Sequence, residues 1–285
     1  MYHAPHVYAF ADEASPMIAG QIAAMQRNHL DGLEIRNVDG QNVSDISLEK
    51  AQEVKKQLDD AGLVCWSIGS PIGKIQIGDD FAAHLDVLRH TLDVADVLGA
   101  GNVRMFSFYL PEHTDPALYR SEVIDKLGKM LEIAKGRTAL CHENEKGIFG
   151  DSPDRCLDLL TTLPELDGVF DPANYIQCGY DPCEAFPRLD KLTKYLHVKD
   201  ALFADGSVTP AGHGDGHLAD IVRAFTEREV PHMTIEPHLM TFAGLARLEQ
   251  EGQKTQMGKF VYESNDAAFD AACSALRELL TLAQG

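Results

Sequence analysis

The amino-acid sequence of 285 residues predicts an α/β fold, a (β/α)8 TIM barrel that occupies residues 1–285 as one domain. Short apolar segments of strand character alternate with longer segments of helical periodicity, about eight of each. The strand segments are apolar on both faces, which is typical of a parallel sheet covered by helices on either side. Eight such units fit a barrel of about 250 residues. An open doubly wound sheet is the alternative, but no glycine-rich phosphate turn follows the first strand.

The apolar runs predict eight strands. In chain order they are Val7–Phe10, Gly32–Ile35, Leu63–Ile68, Asn102–Phe106, Thr138–Cys141, Val169–Phe170, Tyr195–Val198 and Met233–Ile235. Helices are predicted where apolar residues recur at three- and four-residue steps, as between Leu48 and Ala61. Ser47 and Ser152 stand where helix N-caps would lie, and Gly62 and Gly99 stand where helices would end.

The segment 239–262 lies between the last strand and a final amphipathic helix, and it is longer than an ordinary strand-to-helix connection. It contains three glycines together with the apolar residues Phe242, Met257, Phe260 and Tyr262. Long loops at the catalytic face of a barrel commonly form lids and subunit contacts. We therefore expect this segment to cover a pocket, either in its own subunit or in a neighbouring one, which is compatible with a homo-oligomer.

The net charge, the apolar runs and the cysteines indicate which classes of partner and which cellular compartment to expect. The net charge of −19 argues against nucleic acid and against an anionic membrane surface, because both require clusters of Lys and Arg. No apolar run approaches the roughly 20 residues that span a bilayer, and no signal-peptide pattern is present. The six cysteines contain no C-x-x-C pair and are expected to be reduced thiols. These features predict a cytoplasmic protein that binds neither nucleic acid nor a membrane.

Four of the predicted strands end in a side chain that can bind a metal ion. The segments TALCHENE, GVFDPAN, KYLHVKD and HMTIEPH place Glu143, Asp171, His197 and Glu236 at these ends, separated by 28, 26 and 39 residues. Side chains separated by about one helix and one strand converge when a barrel gathers its strand ends on one face. Three carboxylates and one imidazole predict one divalent cation: Mn²⁺, Co²⁺ or Mg²⁺, with Zn²⁺ as a further candidate.

A cation held by four protein groups leaves about two coordination positions for an α-hydroxy-carbonyl compound. Polarising the carbonyl acidifies the neighbouring C–H bond and stabilises the enediolate that forms. A carboxylate can return the proton to the opposite face, which is epimerisation, or to the other carbon, which is aldose–ketose isomerisation. Glu143 and Glu236 are the candidate catalytic residues for this proton transfer. A hydride shift is the alternative, and it would need a second metal ion.

The motifs CHEN, FDPAN, HVKD, PAGHGDG and IEPH, in this order, resemble the xylose-isomerase-like superfamily of sugar isomerases and epimerases. The resemblance covers nearly the whole chain. It implies a TIM barrel with one divalent metal ion held by Glu143, Asp171, His197 and Glu236. In the ketose-epimerase branch of this superfamily the two glutamates also move protons at the carbon beside the carbonyl, which implies that role for Glu143 and Glu236.

The candidate substrate-binding residues are Lys199, Asp200, Asn174, His238 and Glu34. Asn174 stands where the ketose epimerases carry a substrate-binding histidine, and a further acidic residue of those enzymes has no clear match here. Lys199 and Asp200 would line the pocket beyond the metal ion, with a strand-end salt bridge as the alternative. His238 lies on a loop over the barrel mouth. Glu34 ends strand 2 and would bind sugar hydroxyls or pair with a neighbouring arginine.

The leading functional hypothesis is a metal-dependent isomerase or epimerase of a small sugar or sugar-like hydroxy-carbonyl compound. A lyase or dehydratase is the second, since the same enolate can expel a leaving group from the β carbon. An apurinic-site endonuclease of the same superfamily is the third. It would require further His and Glu ligands and a basic surface, which the net charge of −19 disfavours.

Overall fold

The computed structural model describes residues 1–242, 245 and 260–285, and it contains a closed barrel of eight parallel strands. The strands β1 to β8 are, in chain order, His6–Ala9, Gly32–Ile35, Val64–Gly69, Asn102–Met105, Ala139–Glu143, Asp167–Phe170, Thr193–Val198 and His232–Ile235. Each strand pairs with its neighbours along the chain, and β8 closes the barrel against β1. The predicted TIM barrel is confirmed, and its topology brings the carboxyl ends of all eight strands to one face.

Helices connect the strands. Those within the described residues are Ile18–Arg27, Leu48–Ala61, Phe81–Leu98, Arg120–Ala134, Pro153–Thr162, Pro172–Gln177, Pro182–Leu189, Leu218–Phe225 and Asn265–Gln284. Ser47 and Ser152 cap their helices as predicted, each accepting a backbone N–H bond in the first turn. Gly62 and Gly99 end helices with φ angles of 71° and 73°, a left-handed conformation that favours glycine.

Two details near the predicted metal ligands differ from the sequence-based expectation. Strand β5 continues through Glu143, so this residue is the last of the strand rather than the start of a loop. Strand β6 is followed by two short helices, Pro172–Gln177 and Pro182–Leu189, where one helix was expected. Each of these helices begins with an aspartate N-cap followed by proline, a combination that starts a helix locally.

The amino-terminal end of the barrel is closed by stacked aromatic rings. Trp66 stacks on His232, with the ring centroids 4.0 Å apart, and on Tyr8, with the centroids 4.8 Å apart. His232 is the first residue of β8, so these rings lie at the end of the barrel opposite the converging strand ends. The structure therefore gives Trp66 a packing role at the end of the barrel opposite the four candidate metal ligands.

The glycine-rich loop after β7 is tied to a single buried carboxylate. The Asp200 side chain accepts backbone N–H bonds from Gly212, Gly214 and Gly216 at 2.8 to 2.9 Å, and a further one from Ala201. A Cβ atom on Gly214 would lie 2.4 Å from Asp200 Oδ1 and 2.5 Å from the Ala201 carbonyl oxygen. The loop therefore needs glycine where its backbone approaches the carboxylate.

Most of the segment 239–262, for which a covering role was predicted, lies outside the described residues, which omit 243, 244 and 246–259. Of its described residues, Phe242 and Leu245 are buried, whereas Phe260 and Val261 are exposed. No helix in the described part of the chain is long and apolar enough to span a membrane.

We predict that Gly214→Ala lowers the free energy of unfolding by about 1–3 kcal/mol, because the new methyl group overlaps the backbone and the Asp200 carboxylate. Gly128→Ala is the matched control: it lies within the helix Arg120–Ala134, its Cβ would meet no atom within 4 Å, and alanine is the better helix former. Urea denaturation measures both. An unchanged unfolding midpoint for Gly214→Ala would contradict the role given to the loop.

Candidate metal centre

Four side chains from successive strand ends meet at the carboxyl-terminal face of the barrel. Glu143 is the last residue of β5, Asp171 follows β6, His197 lies in β7 and Glu236 follows β8. One potential ligand atom from each of the four lies within 4.8 Å of those of the others, and all four residues are buried. The convergence expected from the spacing in the sequence is present, because parallel strands in a barrel end at the same face.

Asp171 is held so that one oxygen is left for the centre. Its Oδ1 caps the following helix by accepting the Asn174 N–H at 2.9 Å, and the Asn144 side chain bonds both its backbone N–H and its carbonyl oxygen. Its Oδ2 lies 2.7 Å from Lys199 Nζ without a well-aligned hydrogen bond. Burial raises the pKa of Asp171 to about 8, Lys199 opposes this shift, and the nearby Glu236 and Glu143 carboxylates add to it.

His197 is clamped between two carboxylates. Its Nδ1 lies 3.0 Å from Glu143 Oε1, and its Nε2 lies 3.1 Å from Glu34 Oε2. Glu34 is itself fixed by the Tyr195 hydroxyl, which donates to Oε1 at 2.9 Å. Burial alone would lower the pKa of His197, but Glu143 and Glu34 outweigh it and raise this pKa to about 10. The ring orientation is thus set by groups on both sides.

Glu143 contacts an arginine and an asparagine in addition to His197. Arg104 Nε lies 3.2 Å from its Oε2, and the Asn174 side-chain amide donates to its Oε1 at 3.2 Å. Burial would raise the pKa of Glu143, but His197 and Arg104 together lower it to about 2. Glu143 is therefore ionised at neutral pH.

Glu236 faces two groups of residues with its two oxygens. Lys199 Nζ donates to Oε2 at 2.9 Å, and His197 Nδ1 lies 3.6 Å from the same atom. Arg36 donates to Oε1 at 3.2 Å. Burial would raise the pKa of Glu236, but the neighbouring Lys199, His238, His197 and Arg36 hold it well below its usual range.

A second buried group adjoins Glu236 on its Oε1 side. Arg36 donates to both oxygens of Asp12 at 3.0 Å and to Glu13 Oε1 at 3.0 Å. The His238 backbone N–H donates to Glu13 Oε2 at 2.6 Å. The His238 Nε2 atom lies 3.6 Å from both Glu13 Oε1 and Glu236 Oε1, which is too far for a hydrogen bond. Glu13, Glu236 and His238 can also bring three ligand atoms within 4.8 Å of one another.

The predicted substrate-binding residues fall into two groups in the structure. Lys199, Asn174 and His238 lie against the four converging side chains. The oxygens of Asp200 are instead occupied by the glycine-rich loop, and those of Glu34 by His197, Tyr195 and Ser67. The strand-end salt bridge considered for Asp200 is replaced by backbone hydrogen bonds.

Several buried charged groups of the site were not recognised from the sequence. Asp12 and Glu13 follow β1, and Arg104 lies in β4, where a charged residue within an apolar strand is itself a signal. His142 precedes Glu143 in β5, but its Nε2 bonds Ser107 Oγ at 2.9 Å instead of reaching the centre. The contact of Arg36 with Glu236 joins β2 to β8 and could not be read from local spacing.

Solved structures similar to this chain share its fold. L-ribulose 3-epimerase superposes with a TM-score of 0.72 at 16% identity, covering 99% of this chain and 96% of that chain. The probable 3-DHS dehydratase AsbF, involved in petrobactin synthesis in Bacillus anthracis, gives 0.71 at 15% identity, covering 96% and 99%. The IOLI protein with a zinc atom gives 0.70 at 13% identity, covering 97% and 98%.

Identities this low establish the fold and nothing finer. A search of curated protein sequences finds no significant match. The model of one protein family, described as xylose isomerase-like TIM barrel, matches residues 22–254, which is most of the sequence. The chain therefore belongs to the xylose isomerase-like TIM barrel family.

Proposed function

We propose that the protein is a divalent-metal-dependent isomerase or epimerase of a small sugar or sugar-like hydroxy-carbonyl compound. The convergence of three buried carboxylates and one imidazole, with ligand atoms within 4.8 Å of one another, carries this proposal. The fold neighbours that act as sugar epimerases support the reaction class, and the neighbour with zinc supports a metal site. The net charge of −19 disfavours the endonuclease alternative.

The donor set fits a divalent cation held by Glu143, Asp171, His197 and Glu236. Ligands that are mostly carboxylates favour Mn²⁺, Co²⁺ or Mg²⁺, whereas softer metal ions prefer sites built from Cys and His. His197 turns Nδ1 toward Glu143 and Glu236, while Nε2 faces Glu34. A carboxylate on the second nitrogen is the usual way to fix the orientation of a metal-binding histidine. We therefore propose that Glu34 orients the His197 ring and does not contact the substrate.

A bound cation would polarise the substrate carbonyl and stabilise the negative charge of an enediolate. Glu143 and Glu236 are the groups that take the proton from the neighbouring carbon and return it. Arg104 and Asn174 hold Glu143 in place, and Lys199 and Arg36 hold Glu236, so both carboxylates keep a fixed direction. Return to the opposite face gives an epimer, and return to the other carbon gives an isomer.

Lys199, Asn174 and His238 are the proposed contacts to substrate. The Lys199 ammonium lies within 2.9 Å of Asp171 and Glu236, so it stands beside the centre and can donate to a substrate oxygen. The Phe242 ring covers Arg36 at 4.7 Å and stacks on His238 at 5.6 Å. These contacts support the proposal that Phe242, a described residue of the segment 239–262, forms part of the cover over the site.

A lyase or dehydratase is the second candidate, and the fold neighbour named as a probable 3-DHS dehydratase favours it. The first step would be the same proton abstraction by a glutamate. The enolate would then expel a leaving group from the β carbon instead of recovering the proton. An ultraviolet-absorbing elimination product distinguishes this outcome from isomerisation.

We predict that turnover of L-ribulose or another accepted ketose in D₂O places deuterium on the reacting carbon. Proton abstraction by Glu143 or Glu236 exposes the abstracted hydrogen to exchange with solvent. NMR and mass spectrometry of recovered substrate and product measure the incorporation. Complete retention of the original hydrogen would indicate a hydride shift, and it would remove both glutamates from the acid–base role.

We predict that saturating Mn²⁺ raises the melting temperature of the wild-type protein by several degrees and that of His197→Gln much less. Ligands that bind only the folded state stabilise it, and loss of a metal ligand removes part of that stabilisation. His142→Gln is the control, because His142 precedes Glu143 in β5 but contacts Ser107 instead of the site. An equal rise in wild type and His197→Gln would make His197 a structural residue.

A further inference from the structure

His238 is a buried imidazole with an unused nitrogen. Its side chain is 9% exposed, and Nε2 has no hydrogen-bond partner in the described part of the chain. Buried polar atoms nearly always have a partner, so an exception next to a reactive centre calls for a physical reason. The backbone of His238 adopts a φ angle of 45°, a left-handed conformation that is costly for a residue with a side chain.

The surroundings hold this nitrogen in one direction. The His238 backbone N–H bonds Glu13 Oε2, and the ring stacks on Phe242 with an interplanar angle of 10°. The Nε2 atom then faces Glu13 Oε1 and Glu236 Oε1, each 3.6 Å away. Three fixed polar atoms surround one point beside Glu236, on the side of its Oε1 atom, whereas its Oε2 atom faces Lys199 and His197.

The spacing of these atoms suits a hydroxyl oxygen. Partners arranged tetrahedrally at hydrogen-bond distances of about 2.8 Å lie roughly 4.6 Å from one another. Here Nε2 lies 3.6 Å from each of the two carboxylate oxygens, somewhat closer than that value, and one ligand atom from each of the three residues lies within 4.8 Å of the others. A hydroxyl group both donates and accepts, so it can donate to a carboxylate oxygen and accept from an imidazole N–H.

A second metal ion is the alternative occupant, and Arg36 argues against it. The guanidinium donates at 3.0 to 3.2 Å to the same Glu13 Oε1 and Glu236 Oε1 atoms that such an ion would need. Since arginine is always charged, it supplies a permanent positive charge at that position. A neutral hydroxyl group avoids the repulsion that a divalent cation would meet.

The location also suits substrate. Measured over whole residues, Glu236 is the most exposed of the four converging residues at 5%, while Asp171 and His197 are at 0%. Its neighbour His238 is exposed at 7% by the same measure. The Glu236 side is thus the least deeply buried part of the centre.

We propose that Glu13, Glu236 and His238 form a subsite for a third oxygen of the substrate, a hydroxyl on a carbon next to the hydroxy-carbonyl pair. This inference rests on the proposed function, because the pair is oriented by the four-ligand centre. It restricts the substrate to polyhydroxy carbonyl compounds with at least three contiguous oxygenated carbons. A site built to bond a hydroxyl rejects the analogue that lacks it.

Hydroxyacetone and dihydroxyacetone test this subsite, because they differ by one hydroxyl group. Their dissociation constants are measured on the full-length protein with Mn²⁺, by titration followed through water-proton relaxation. We expect dihydroxyacetone to bind roughly tenfold more tightly, beyond the statistical factor of about two from its symmetry. His238→Asn should abolish the preference, because asparagine tolerates a left-handed backbone but is too short to occupy the position of Nε2. Glu13→Gln should reduce it.

His213→Asn is the matched control, since His213 lies on the loop over the barrel mouth and contacts the Phe260 ring instead of the subsite. It should keep the preference. If hydroxyacetone binds in an Mn²⁺-dependent way but dihydroxyacetone binds no better, or if His238→Asn keeps the preference, the subsite is wrong and the proposed function stands. Two Mn²⁺ ions per chain, one of them lost in His238→Asn, would make the subsite a metal site. If neither probe binds, the proposed function fails and the subsite with it.

Discussion

The carboxyl-terminal face of the barrel depends on balancing an excess of buried negative charge. Six carboxylates of the described residues meet there, and the permanent cations that contact them are only three, Arg36, Arg104 and Lys199. The carboxylates are Asp12, Glu13, Glu34, Glu143, Asp171 and Glu236. A buried charge without compensation is strongly destabilising, so this face needs further positive charge, either from protons on Asp171 and His197, whose pKa values are raised to about 8 and about 10, or from a bound cation. A divalent ion held by three of these carboxylates and His197 would supply part of it, which links the folding of this face to the proposed chemistry.

The barrel could be predicted from the sequence because its signals are local and repeated. Each strand is a short apolar run, and serine and glycine mark the helix ends at Ser47 and Gly62. Boundaries were less accurate where a polar residue belongs to a strand, as at Glu143, or where a helix is too short to show periodicity, as at Pro172–Gln177. Hydrogen bonding and capping decide those boundaries, and neither is visible as an apolar pattern.

The four metal-ligand candidates could be placed together because strand order alone brings them to one face. Their supporting residues could not be assigned in the same way. Glu34 reaches His197 across the barrel interior, and Arg36 reaches Glu236 between β2 and β8. Such contacts depend on side-chain direction in three dimensions, which spacing does not encode. For the same reason Asp200 was expected to line the pocket, whereas its carboxylate accepts hydrogen bonds from the backbone N–H groups of Gly212, Gly214 and Gly216. The close approach of the loop backbone to this carboxylate explains why the PAGHGDG motif contains glycines.

The two carboxylate oxygens of Glu236 contact different groups of residues. One oxygen faces the proposed cation and the other faces Arg36 and His238, so its loss should empty the metal site. Equilibrium dialysis against Mn²⁺, with the protein prepared without chelators, tests the four-ligand centre most directly. Wild type should retain about one Mn²⁺ per chain, and Glu236→Gln should retain far less at the same free concentration. Equal occupancy in the two proteins, or no bound Mn²⁺ in wild type, would contradict the centre.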